Sequence, residues 1–284
     1  MAMRKLQWIS IAIGVLLSGL SWSGWHRAAS PPRPSPPRRT ATPRTPPIVA
    51  IFCYHDVSEK PSRWAVTPQR LEAHLRALQA RGFVFMTVSE ALTVFGSSRN
   101  LATPQRVAVL TFDDGFRSAY TVVFPLIQRY RAKMTVFVYT DWIGKTRTAL
   151  SWAQLRAMAQ SGSVEIASHT VTHTYPRRLR RALKGDAYRQ RVLWEFAVSK
   201  QVLEQRLGVP IHGLAYPGGQ VDETLKHLAR AAGYQWAVTI NPKFVTAGND
   251  PYALPRFGIE RTTDIAALLE QPLRHRLLAR FLRR

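Results

Sequence analysis

Asp113 and Asp114 stand side by side at the end of the apolar run Arg106–Phe112 and are followed by Gly115. Two adjacent carboxylates at a buried strand end repel each other unless one takes a proton or a cation. Alone, the triplet is also an ordinary turn. Further along, His169 and His173 are four residues apart, which puts both imidazoles on one helical face or around one tight turn and suits a divalent transition metal. With Asp114 they make a set of two histidines and one carboxylate, and such a set leaves coordination positions open for water and substrate, as catalytic sites do. A third polar block, Ala215-Tyr216-Pro217-Gly218-Gly219, ends another apolar run.

Residues so far apart in the chain need a scaffold that gathers strand ends. Short β-type runs alternate with helical patterns from Ile48 onward. The strands expected are 48–54, 106–112, 133–139, 164–167, 211–216 and 235–240. The helices expected begin at Thr67-Pro68, with Thr as cap and Pro in the first turn, and span about 118–131, 151–161, 186–207 and 222–232. Repeated βα units imply a parallel sheet with helical cover. This many units in one domain predicts a distorted (β/α) barrel of about seven strands, TIM-like, with its chemistry where the strands end.

The blocks TFDDG, HTVTH and AYPGG, in this order and at these separations, resemble the polysaccharide deacetylase family with its NodB-type catalytic domain, over about Ile48 to Ile259. The YHDV at Tyr54–Val57, the helix after Thr67-Pro68 and Leu254-Pro255-Arg256 resemble the poly-β-1,6-N-acetylglucosamine N-deacetylases in particular. The resemblance implies a metal-dependent hydrolase that removes N-acetyl groups from an N-acetylglucosamine polymer. Asp113 is then the general base, and Asp114, His169 and His173 are the ligands of a divalent metal, Zn²⁺ first, with Co, Ni or Fe as alternatives. Such an ion lowers the pKa of water from about 15.7 to about 7. Attack on the acetyl carbonyl makes an oxyanion that a backbone N–H near Tyr216 and Pro217 would stabilise. Peptidoglycan and chitin deacetylases share these motifs, and a barrel that kept polyanion binding but lost the reaction is the contrasting reading.

Two departures from the family pattern bear on the mechanism. Many members carry an arginine two residues before the motif proline, in contact with the catalytic Asp; here that position is Ala215, and Arg256 is the candidate to replace it, grouped with Tyr216 and Pro217 at the substrate side. The late Leu-x-His that commonly supplies a general acid has no counterpart at a strand end. Of the other histidines, His26 lies in the leader, His74 and His227 in helices, His212 at a strand start and His275 in a basic tail, so His55, directly after an apolar strand, is the candidate acid. Tyr216 is the aromatic expected beside the site.

Charge and the termini place the domain. Lys and Arg outnumber Asp and Glu by 40 to 17, for a net charge of +23, which favours anionic surroundings without choosing among them. No recognition motif of a nucleic-acid module accompanies the dispersed basic residues, so no specific nucleic-acid partner is expected. Arg4 and Lys5 precede an apolar stretch to Leu20, so residues 1–29 read as a signal peptide or signal anchor. The Pro/Arg-rich 30–47 reads as an extended linker, residues 48–270 as the catalytic domain and 271–284 as a basic tail. These features predict a monomeric, exported enzyme that touches the membrane through its N-terminal segment. The single cysteine, Cys53, sits in an apolar run and reads as a core residue.

Overall fold

The computed structural model describes residues 48–96, 106–246 and 248–270. The leader, the linker and the basic tail lie outside the described residues. The element order is β1 (Ile48–Tyr54), β2 (Asp56–Val57), β3 (Ala65–Val66), α1 (Pro68–Ala80), β4 (Val84–Phe85), α2 (Val88–Gly96), β5 (Arg106–Phe112), a π-helical turn (Ala119–Val123) leading into α3 (Phe124–Arg129), β6 (Met134–Val138), α4 (Trp152–Gln160), β7 (Val164–Ser168), α5 (Pro176–Ala182), α6 (Gly185–Leu207), β8 (Gly213–Ala215), α7 (Glu223–Ala231), β9 (Trp236–Val238) and β10 (Phe257–Gly258), with residues 265–270 again helical.

Seven strands pair in the order β10-β1-β5-β6-β7-β8-β9, all in parallel, and β4 pairs with β5. The two ends of this curved sheet are joined by one short segment. Leu254 donates to Ala237 O at 2.9 Å and accepts from Thr239 N at 2.8 Å, while Phe257 and Gly258 pair with Phe52 and Cys53 of β1. The result is the distorted β/α barrel that the alternation of elements predicts.

Strand residues alternate between two buried environments. Val49, Ile51, Val107, Val109, Phe137, Ala167, Ala215, Trp236 and Val238 fill the barrel interior. Their neighbours Ala50, Phe52, Leu110, Phe112, Met134, Val136 and Leu214 pack outward under the helices. Both faces are dry, which is why these strands read as nearly continuous apolar runs. Trp236 occupies the interior beside Phe137, edge to face at 5.9 Å. It fits because position 213 is glycine: a Cβ there would lie 1.9 Å from Cη2 of the indole.

The helix caps explain most boundaries. Thr67 caps α1 by accepting from Arg70 N, Ser151 and Gln154 form a capping box on α4, and Asp222 caps α7. Three helical elements depart from the sequence expectation, and the two-residue strands β2, β3, β4 and β10 add to it. The helix expected over 118–131 starts as a π-helical turn before α3. α5, opened by Pro176, was not foreseen. Nor was α2, where Thr87 and Glu90 bond each other's backbone N–H reciprocally. α2 closes the bottom of the barrel: Ser89 donates to Glu165 and accepts from the Trp236 indole, and Val88 N donates to Thr135 Oγ1.

Candidate active site

The period of two along a strand brings the chemistry to the barrel mouth. Asp113 continues the inward series Val107, Val109, Thr111, and His169 continues the series Glu165, Ala167. Each therefore projects over the interior at the C-terminal end of its strand. Asp113 N donates to Tyr54 O and His169 N to Val138 O, so the ladder runs on through both residues. Asp114 then turns away with a left-handed backbone, φ 71°, which redirects its carboxylate toward the histidines.

His169 and His173 lie in a turn and not on a helix, with Thr170 and His173 both at positive φ. Their Nε2 atoms stand 3.4 and 3.3 Å from Asp114 Oδ1. His169 Nδ1 bonds Ala215 O at 2.8 Å, which fixes the ring and leaves Nε2 free to act as a ligand. Asp114 Oδ1 is buried and has no hydrogen-bond partner. An orphaned carboxylate oxygen facing two imidazole nitrogens, with one ligand atom of each residue within 4.8 Å of the others, fits a divalent cation by donor type and by placement. Burial and the neighbouring His169 push the His173 pKa down to about 4, so the imidazole is neutral at physiological pH, the form in which it could bind a cation.

Asp113 is held differently. Arg256 grips it in a fork, Nη1 to Oδ1 and Nη2 to Oδ2, each 2.7 Å. The rest of the guanidinium is also committed, Nε to Thr239 O and Nη1 to Thr111 Oγ1. Arg256 is fully buried, so the guanidinium missing at Ala215 comes from the seam of the barrel, and no part of it is open to a substrate. Burial pushes the Asp113 carboxyl up, but the Arg256 charge and hydrogen bonds outweigh it and hold the group well below the usual carboxylate range. Cys53 Sγ adds a weak donor 3.4 Å from Oδ2.

His55 stands beside this pair, with one ligand atom within 4.8 Å of Asp113 and of Cys53. Its Nδ1 is buried and unpartnered, and its ring packs on half-exposed Trp64 at 5.1 Å. Tyr216 differs from the expectation of a sugar-facing ring. One residue past an inward position, its side chain points outward, is fully buried beside Phe196 and donates to Tyr252 O. Pro217 is buried as well. The loop shows instead its glycines: Gly218 and Gly219 have positive φ, and a Cβ on Gly219 would meet the Ile240 backbone at 2.7 Å. Sequence reasoning passed over exposed Tyr175, whose ring lies 5.6 Å from His173. Its position two residues past the histidine motif was the available signal.

A carboxylate gripped by a buried arginine, beside three side chains that could hold a metal at the mouth of a β/α barrel, is an arrangement suited to hydrolysis through water. Residues 100–237 match the family model of polysaccharide deacetylase. The poly-β-1,6-N-acetyl-D-glucosamine N-deacetylase of Staphylococcus epidermidis is 25% identical over 203 residues, which cover 70% of this chain and 69% of that one. The Streptococcus pyogenes deacetylase PplD, solved in complex with acetate, superposes with a TM-score of 0.69 at 25% identity, covering 80% of this chain and 98% of its own. IcaB from Ammonifex degensii shares the fold, with a TM-score of 0.68 at 24% identity over 79% and 95% of the two chains. Residues 100–237 thus carry a polysaccharide deacetylase domain, and the comparisons together indicate a deacetylase enzyme.

Proposed function

We propose that this enzyme is a metal-dependent N-deacetylase of N-acetylglucosamine polymers, with poly-β-1,6-N-acetylglucosamine as the substrate. The likeness to the staphylococcal enzyme supports the polymer, and the signal-like residues 1–29 support export to the cell surface with retention at the membrane. Asp114, His169 and His173 would hold the metal, Zn²⁺ being the ion best suited to two imidazoles and a carboxylate with positions left open. A divalent ion held there would supply Lewis acidity toward the acetyl carbonyl and would lower the pKa of water to about 7.

The chain's own residues do the rest. Asp113 takes the proton of the attacking water, and Arg256 keeps it ionised and fixed in orientation. His55 would give a proton to the departing amine nitrogen, a role favoured by its unpartnered Nδ1 and by the place of its ring beside Asp113. Backbone of the Tyr216–Gly219 loop would supply a donor to the developing oxyanion.

The observation that carries the reading is the division of labour between adjacent carboxylates: Asp113 is fully engaged by Arg256, whereas Asp114 Oδ1 faces two histidines with no partner. The test is acetate release from poly-β-1,6-N-acetylglucosamine, chitin oligomers and peptidoglycan. Release from the first, abolished by chelator, restored by Zn²⁺ and lost in Asp113→Asn, is the expected result. Preference for either other polymer would reassign the substrate, and release that survives chelation would remove the metal from the mechanism.

A further inference from the structure

The loop that carries His169 and His173 is bent against its own preference. Thr170, a β-branched residue, sits at φ 74° and His173 at φ 57°, backbone that such residues adopt only when their surroundings impose it. The imposing element is α6. Glu195 projects from it beneath the loop and is 2% exposed. Its Oε2 accepts the N–H groups of Val171 and Thr172 at 3.0 and 2.9 Å, and its Oε1 accepts the Thr172 hydroxyl and the Arg191 guanidinium, both at 2.7 Å.

One helical turn further, Ser199 Oγ meets Ser168 Oγ at 2.7 Å, and Ser168 Oγ accepts Thr170 N–H at 3.1 Å. The Thr170 hydroxyl in turn accepts His173 N–H at 3.1 Å. Two polar side chains at i and i+4 on the buried face of one helix thus grip the loop at its start and at its middle.

We infer that Glu195 is a positioning residue for the metal centre: it holds the left-handed loop in the shape that aims both Nε2 atoms at Asp114. A buried carboxylate needs donors to offset its desolvation, and here the donors are the loop's own amides and hydroxyl together with Arg191. The loop shape and the buried Glu195 side chain therefore stabilise each other. Glu195 makes no hydrogen bond to His169, His173 or Asp114, so its influence passes through the backbone. The inference rests on the assignment of His169 and His173 as ligands in the proposed function.

The test is Zn²⁺ affinity of the full chain by competition with a chromophoric chelator, with the thermal midpoint of the metal-free protein and acetate release at limiting and saturating Zn²⁺. Glu195→Gln turns an amide NH₂ toward donors that need an acceptor. It should weaken Zn²⁺ binding about 10- to 100-fold, the range for lost support around a ligand, and acetate release should fall at limiting Zn²⁺ and recover at saturation. Thr172→Val, which removes only the hydroxyl, should weaken Zn²⁺ binding less and carries the test if the glutamine variant does not fold. Wild-type Zn²⁺ affinity in these variants, with only the thermal midpoint lowered, would reduce Glu195 to a fold-stabilising group and overturn the inference. A wild-type chain that binds no Zn²⁺ would overturn the metal assignment together with it.

Discussion

Arg256 shows how far one side chain can serve both fold and chemistry. It lies in the segment that joins the two ends of the barrel sheet, and its fork is committed to Asp113, Thr111 and Thr239. Replacing it by methionine would leave a buried carboxylate unpaired, which costs about 3–5 kcal/mol, so chemical denaturation should show a loss of that order. The sign of the pH effect follows from the same pair. Arg256 lowers the Asp113 pKa, so in surviving Arg256→Met protein the acid limb of acetate release should move to higher pH, read from a rate profile. A profile unmoved by the substitution would show that Asp113 does not govern that limb. At this scale the sequence was most informative about Asp113, Asp114, His169 and His173, whose types and spacing are chemical. It was least informative about Tyr216, because one residue of register decides whether a ring at a strand end faces the cavity or the helices.

The strands and loops decide how closely these groups approach one another. Alternation of inward and outward residues is visible in Val107, Val109 and Thr111 once the register is known, but both faces are apolar, so the pattern alone does not say which is interior. Gly213 marks the choice. Its missing Cβ makes room for Trp236, and Gly213→Ala should destabilise the barrel by about 1–3 kcal/mol or more, as overpacking does. A fall in thermal midpoint would register it, and an unchanged midpoint would show that the indole moves aside without cost. The histidine pair admitted either a helix or a turn from its spacing; α6 decides for the turn through Glu195 and Ser199. α2 escaped the sequence reading because its nine residues include Val, Thr, Phe and Gly. Its one clear sign was the Thr87/Glu90 capping box.

The molecule as a whole is tied together by buried polar contacts whose charge state matters for stability. His74 of α1 meets Tyr54 of β1 at 3.0 Å and is 4% exposed, and burial pushes its pKa down to about 4. In the unfolded chain it titrates near about 6.5. The folded value is the lower one, so its contribution is fully present above about pH 6.5 and is lost as pH falls toward 4, by up to about 3 kcal/mol. Urea unfolding from pH 7 to 4 should show this loss, and His74→Gln should remove it from the pH dependence. The repeat of βα units, the Thr67 cap and the candidate chemical residues followed from the sequence alone, because propensity, capping and metal-ligand chemistry act over a few neighbouring residues. The two-point grip of Arg256 on Asp113, for which the sequence offered only a candidate, the turn that aims the histidines and the burial of Tyr216 were decided only by the tertiary structure. Each depends on closing the barrel, which brings together residues 143 positions apart, such as Asp113 and Arg256, and no local pattern records such a meeting.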